Sequence, residues 1–276
     1  MTIIDQNLVD RVVVISQLAG DAIMAVYRSV EGIEVDYKAD DSPLTQADLA
    51  AHRILIDRLP ALMSAVPVLS EESALPPYNE RQQWQRYWLI DPLDGTKEFI
   101  SRNGEFTVNV ALIENGRPLL GVVHVPAQSI TYAGIQGQGA YKWVSGQRQP
   151  ISVRPLKDRM NQSLPIEVVA SRRHGSDQLQ SALIKLQQRF GDIETVSMGS
   201  SLKFCLVAEG RADLYPRLAP TSEWDTAAAQ AVVEAAGGKV VDDNFQTLRY
   251  NQKDNILNPH FYVWGDQSID WPSILS

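Results

Sequence analysis

The sequence predicts a mixed α+β/α/β protein in two domains, and three features predict it. From residue 1 to about 155, two helical periodicities precede a run of strand-like segments. Beyond Pro155, short apolar strands alternate with helices, as in α/β units. The polar stretch Arg154 to Ser163 separates the two patterns and marks the boundary, giving an α+β domain over 1–155 and an α/β domain over 156–276.

In the first domain Leu8, Val12, Ile15, Ala19, Ala22, Ile23 and Val26 recur at helical spacing and predict an amphipathic opening helix. A second helix starts at "TQADLAAHRILIDRL", where Thr45 followed by Asp48 is a capping-box-like start. "VPVLSEES" is a short apolar strand ending in Glu71 and Glu72, followed by a polar loop from Ala74 to Arg86. "FTVNVALI" and "LLGVVHV" flank Asn115-Gly116, a strong hairpin signal, and "ITYAGI" and "GAYKWV" read as further strands. A mostly antiparallel sheet follows from these.

In the second domain "IEVVAS", "IETVSM", "ADLYP" and "KVVDD" read as strands. Helices are predicted from about Asp177 to Phe190, from Ser200 to Glu209 and from Glu223 to Ala236. The tail "SIDWPSILS" carries apolar residues with no partner identifiable in the sequence and is read as exposed.

Composition excludes several function classes. A formal charge of -8 argues against non-specific nucleic-acid binding, which needs Lys and Arg against phosphates. Cys205 is the single cysteine, so there is no disulfide framework or cysteine metal site, and a reducing, cytoplasmic setting is expected. The opening residues lack a basic n-region, and Asp5, Asp10 and Arg11 interrupt their apolar run, so neither a signal peptide nor a membrane span is expected. "DGTKEF" lacks P-loop spacing, "GIQGQGAYKW" leads into a strand rather than a helix, and there is no G-x-S-x-G or H-E-x-x-H. Hydrolytic chemistry, if present, has to be metal chemistry.

Oxygen donors point the same way. In "YWLIDPLDGTKEF", Asp91 and Asp94 follow the buried run Trp88-Leu89-Ile90 and are read as an exposed turn at the strand's end. With the Leu93 carbonyl, this turn offers three hard oxygens of the kind Mg²⁺ takes. Each acid also has a purely structural reading. Asp91 and Asp94 can cap a turn, Glu71 and Glu72 can be solvated, and Asp48 and Asp225 can cap their helices. Ser200, in "GSSLKF", is on periodicity an ordinary N-cap.

Taken together, "WLIDPLDGTKEF" and "WDTAAAQAVVEAAGG" resemble the two signatures of the inositol monophosphatase superfamily of Mg²⁺-dependent, lithium-sensitive phosphatases. "SPLTQAD", "VLSEES", "DPLDGTKEFISRNGEFTVNVALI" and "GSSLKFCLVAEGRADLYPR" extend the resemblance over most of the chain, and "DPLDGTKEF" is specific for its 3'(2'),5'-bisphosphate nucleotidase branch. The resemblance implies a layered αβαβα sandwich with the active site between the two domains. It implies that Glu71, Asp91 and the Leu93 carbonyl hold one Mg²⁺, and that Asp91, Asp94 and Asp225 hold a second, Asp91 bridging. Asp48 and Thr96 would activate water or hold a third, weaker ion, with Gly95 and Thr96 facing the scissile phosphate. Ser200 and Lys203 would take the uncleaved phosphate, His174 the adenine or ribose, and Arg217 a phosphate or the base. The implied substrates are adenosine 3',5'-bisphosphate and its sulfated analogue 3'-phosphoadenylyl sulfate, in sulfate assimilation. Peripheral association with the inner face of a membrane is left open by analogy with relatives. Two rivals also stay open: an inositol or sugar phosphatase on the same scaffold, and a non-catalytic nucleotide sensor.

Overall fold

Helix α1 (Gln6–Tyr27) realises the opening periodicity: Asp5 caps it by accepting from Leu8 N–H, and Leu8, Val9, Val12, Ile15, Ala19 and Ile23 lie on its buried side. The computed structural model describes residues 4–29, 35–38, 43–170 and 177–276. Strands β1 (Val35–Tyr37) and β2 (Pro43–Thr45) form a small antiparallel pair, and α2 (Gln46–Arg58) starts at the predicted Thr45 cap and packs on α1. Then come β3 (Val68–Ser70), the one-turn α3 (Tyr78–Arg81) inside the expected loop, β4 (Arg86–Asp94) and the short α4 (Thr96–Ile100). Strands β5 (Thr107–Glu114), β6 (Arg117–Val125), β7 (Ile130–Ile135), β8 (Gly139–Val144) and β9 (Gln147–Ile151) complete a sheet ordered β3-β4-β5-β6-β7-β8-β9. All its pairings are antiparallel except β3 with β4. The β5–β6 turn puts Asn115 at φ +49° and Gly116 at φ +75°, the left-handed pair that a two-residue hairpin needs.

Both faces of this sheet are covered, which explains why its central strands are apolar throughout rather than alternating. Along β4, Trp88 and Ile90 enter a core shared with α1 and α2, while Tyr87 and Leu89 enter a second core on the other side. That second core is made by helices of the chain's latter half.

The second half runs α5 (Leu156–Asn161), β10 (Ile166–Ala170), α6 (Asp177–Phe190), β11 (Ile193–Ser197), α7 (Leu202–Ala208), β12 (Leu214–Arg217), α8 (Glu223–Ala235), β13 (Lys239–Asp242), β14 (Phe261–Trp264) and α9 (Trp271–Leu275). Its sheet is ordered β11-β10-β12-β14-β13, with β10 parallel to β11 and β12, and β14 antiparallel to both its neighbours. Helix α8 lies against β4, β5, β6 and β7. It can do so because Gly121 and Gly134 lack side chains: a Cβ at Gly121 would stand 2.0 Å from the Ala228 carbonyl oxygen. Helices α6 and α9 close the outer face over Leu186, Trp264 and Trp271. The layers are therefore αβαβα, as expected.

Two expectations change. The tail is not exposed: Trp271 is fully buried and Leu275 nearly so, in a core with Leu156, Leu186 and Trp264. Nor do Asp91 and Asp94 form an exposed turn. They continue the β4–β5 ladder, Asp91 opposite Asn109 and Asp94 opposite Thr107, so one extra residue of β4 is taken up in a bulge between them. Among the described residues no helix is long and apolar enough to cross a membrane.

Candidate active site

The bulge in β4 aims carboxylates into the seam where β3, β4, α2 and α8 meet. Oxygens of Glu71, just past β3, of Asp91 in β4 and of Asp225 in the first turn of α8 all lie within 4.8 Å of one another. Burial pushes the Asp91 carboxyl well above the usual carboxylate range, and the charges of Glu71, Asp94 and Asp225 push it further. Asp225 is raised in the same way, by burial and then by Asp94 and Glu71. Three acids drawn from separate elements and held this close repel one another unless a cation or a proton lies among them.

The donors suit such a cation. They are all oxygens, which is the preference of Mg²⁺ rather than of softer metals. One flank already carries a positive group: Lys38 Nζ lies 2.7 Å from both Glu71 Oε1 and Glu72 Oε1. Burial would lower the pKa of Lys38, but the charges and hydrogen bonds of Glu71 and Glu72 outweigh that and raise it. Glu72, largely because of its burial, is pushed up to about 7. The acidic cluster therefore attracts positive charge from within the chain as well.

Asp94 stands beside the trio rather than in it. Its Oδ2 accepts from Ser201 N–H at 2.6 Å and from the Ser201 hydroxyl at 2.7 Å, with Thr107 and Asn109 donors at 3.4 Å. The Leu93 amide donates to Asp91 Oδ1 at 3.0 Å. The Thr96 hydroxyl lies 3.3 Å from Asp48 Oδ1 and 3.4 Å from the Leu93 carbonyl. Asp48 Oδ2 meanwhile accepts from the Thr45 amide at 2.8 Å and its hydroxyl at 2.6 Å. One carboxylate thus caps α2 with one oxygen and meets Thr96 with the other. Burial raises its pKa despite those bonds.

A cavity of about 400 Å³ opens beside these groups, lined by Asp94, Gly95, Ser200, Lys203, Arg217 and Asp225 among others. Ser200 is not the N-cap of α7. It sits one residue earlier in the left-handed region at φ +45°, and Ser201 takes the cap position. Lys203 is buried, and burial lowers its pKa to about 8. Its ammonium donates to the Ser200 carbonyl at 2.6 Å and lies 5.5 Å from the centre of the Tyr215 ring. Arg217 donates to the Ala219 and Pro220 carbonyls at 3.2 and 3.0 Å. Gly95 has φ +93°, and a Cβ there would lie 3.3 Å from the Ser200 Cβ, so the turn before α4 and the turn before α7 meet edge to edge.

The structure therefore brings Glu71, Asp91 and Asp225 together, pairs Asp48 with Thr96, and puts Asp94, Gly95, Ser200, Lys203 and Arg217 around one cavity. His174 lies outside the described residues. Sequence reasoning gave no role to Lys38, and it read Ser201 only with Ser200 and Lys203 as a helix start suited to a phosphate, not as a partner of Asp94. Neither contact carries a local signal, since Lys38 meets Glu71 across 33 positions and Ser201 meets Asp94 across 107.

Comparison with known proteins places these observations. The profile of the inositol monophosphatase family matches residues 6–266. The chain is 50% identical over 256 residues to the 3'(2'),5'-bisphosphate nucleotidase CysQ of Escherichia coli strain K12, covering 93% of this chain and 99% of that protein. It is 38% identical over 275 residues to the protein of the same name from Haemophilus influenzae, covering 99% and 98%. Among solved structures, CysQ from Bacteroides thetaiotaomicron superposes with a TM-score of 0.79 at 40% identity, over 95% of this chain and 98% of that one.

Proposed function

The chain belongs to the inositol monophosphatase family, and from that premise we propose that it is a 3'(2'),5'-bisphosphate nucleotidase. It removes the 3'-phosphate from adenosine 3',5'-bisphosphate, giving AMP and phosphate, within sulfate assimilation and nucleotide recycling. The observation that carries the reading is a cavity lined by Asp225, one of the acidic trio, together with Asp94, Ser200, Lys203 and Arg217, in a chain half identical to such enzymes. Its volume lies in the range of small-molecule sites.

In this reading Glu71, Asp91, Asp94, Asp225 and the Leu93 carbonyl would hold two Mg²⁺ ions, and Asp48 and Thr96 would serve a third, weaker one. Bound Mg²⁺ would supply a lowered pKa for water and charge stabilisation at the phosphoryl oxygens. The rest falls to the chain's own groups. The Thr96 hydroxyl accepts a proton from the attacking water while passing its own to Asp48 Oδ1, whose burial raises its basicity toward the working pH. Ser200, Lys203 and Arg217 hold the phosphate that is not cleaved, fixing the nucleotide so that its 3' end faces the acids. Lys203 gains when a phosphate arrives, because the anion offsets the burial that lowers its pKa. His174 is assigned to the adenine or ribose, and 3'-phosphoadenylyl sulfate, which shares the 3'-phosphate, is a second substrate. The single buried cysteine accords with a cytoplasmic enzyme acting on a diffusible nucleotide.

Phosphate release from adenosine 3',5'-bisphosphate and from inositol 1-phosphate, with and without Mg²⁺, tests the assignment. Strong Mg²⁺-dependent preference for the bisphosphate is expected. Preference for the inositol ester would replace the substrate, and no turnover of either would favour the sensor.

A further inference from the structure

Ser201 ties together groups that the sequence keeps far apart. It is almost fully buried between the two halves of the molecule. Its amide and hydroxyl both reach Asp94 Oδ2, at 2.6 and 2.7 Å. The same hydroxyl lies 2.8 Å from the backbone carbonyl of Asp225 and accepts from Asn109 Nδ2 at 2.8 Å. A hydroxyl has one proton, and the carboxylate is the stronger acceptor, so the proton points to Asp94 while Asn109 fixes the oxygen from behind.

Asp94 Oδ2 is thereby occupied by two short, charge-assisted bonds, with Thr107 and Asn109 further out. No hydrogen bond from a described residue reaches Asp94 Oδ1, which is left as the oxygen available to a cation. The backbone that presents Ser201 is itself held: Lys203 Nζ donates to the Ser200 carbonyl at 2.6 Å and to the Met198 carbonyl at 3.4 Å, clamping the turn in which Ser200 adopts φ +45°. Gly199 permits the close approach, since a Cβ there would fall 2.7 Å from Glu98 Cγ.

We propose that Ser201 is a positioning residue for the cation site: it orients Asp94 so that one oxygen faces the metal. Lys203 then has a part besides holding phosphate, as the clamp on the turn that presents Ser201. The inference rests on the metal-site reading above.

The test is titration of Mn²⁺, as a probe of the Mg²⁺ site, into the metal-free full chain without nucleotide, by calorimetry. Ser201→Ala removes only the hydroxyl and should weaken Mn²⁺ binding about tenfold or more, as loss of a ligand's hydrogen-bond partner does. Its kcat should recover at high Mg²⁺, with the half-saturating Mg²⁺ concentration shifted upward. Asn109→Ala, which frees the same hydroxyl, should lose a few fold, and it serves as the test if Ser201→Ala does not fold. Ser200→Ala, one residue away but bonded to no carboxylate, should leave Mn²⁺ affinity unchanged. Wild-type affinity in both Ser201→Ala and Asn109→Ala overturns the proposal. So does a loss in Ser200→Ala as large as in Ser201→Ala, which would make the effect one of turn integrity. A wild-type chain without saturable Mn²⁺ binding would instead remove the metal reading beneath it.

Discussion

Replacing Asp91 with Asn separates a metal ligand from a structural cap, because the two roles predict opposite changes in stability. The Leu93 amide donates to Asp91 Oδ1, and an Asn carbonyl oxygen accepts that bond equally well. What Asn lacks is the charge. Two like charges 4.8 Å apart repel by about 3 to 4 kcal/mol at an effective dielectric of about 20, and Asp91 has two such neighbours in Glu71 and Asp225. Protonation relieves much of this in the metal-free chain, since burial and those charges raise the Asp91 pKa well above 3.8. A net gain of about 2 kcal/mol remains reasonable near pH 8, a rise of roughly 4 to 8 °C in metal-free Tm.

The pH dependence has a definite sign. An acid whose pKa is raised on folding binds more protons folded than unfolded, so the wild-type chain without metal loses stability as pH climbs from near 3.8 through the raised pKa. Asp91→Asn should flatten part of that decline. Mg²⁺ should raise the wild-type Tm and leave the variant nearly unmoved, because binding stabilises by about 2.7 kcal/mol at a hundredfold excess over Kd only where the site exists. Thermal melts in EDTA and in Mg²⁺ at pH 6 and pH 8, with phosphate release alongside, read all of this. A metal-free variant less stable than wild type, or one that keeps the full Mg²⁺ shift, would refute the argument and return Asp91 to a structural role.

Two further predictions probe how the fold supports the site. Glu223 opens α8, accepts from the Asn251 amide at 2.8 Å, and is pushed by burial from 4.5 up to about 7, so its contribution to stability is lost as pH rises across that interval, on the order of 3 kcal/mol in all. Glu223→Gln keeps the acceptor and should be more stable than wild type above pH 7 in denaturant unfolding; an unchanged pH profile would show that the carboxyl does not titrate there. Gly121→Ala puts a Cβ 2.0 Å from the Ala228 carbonyl oxygen, so α8 must shift away from β6 at a cost of about 3 kcal/mol, and Asp225 shifts with it. Lost stability together with lost turnover is expected, and a variant that melts and turns over like wild type would contradict the packing of α8 on the sheet.

Much of this was legible because it is local. The Asn115-Gly116 turn follows from the left-handed φ that both residues tolerate, and α1 from its own apolar spacing. The Thr45 cap needs only the Asp48 three residues on. The misses share a cause in distance. Strand β14 pairs with β12 and β13 from a segment that shows no alternation, because both its faces are covered. The tail helix α9 is buried only because Trp264, Leu186 and Leu156 converge on Trp271. Asp91 and Asp94 looked like a turn because Pro and Gly flank them, whereas pairing with Asn109 and Thr107 keeps them in the sheet.

The chain's own order of residues determined which chemistry is available: oxygen donors, a D-P-L-D segment at a strand's end, two capped helices, and signatures specific enough to name a family. Tertiary structure alone decided which of those acids meet. Asp48 caps a helix with one oxygen and reaches Thr96 with the other, so its capping role leaves the second oxygen placed for the role proposed above. Asp225 likewise accepts from the Ser222 amide while joining Glu71 and Asp91. Local sequence sets capping, because a cap lies within three residues of its donor. Charge crowding needs α8 pressed on the sheet through Gly121 and Gly134, and only the folded chain brings acids from positions 71, 91 and 225 within 4.8 Å.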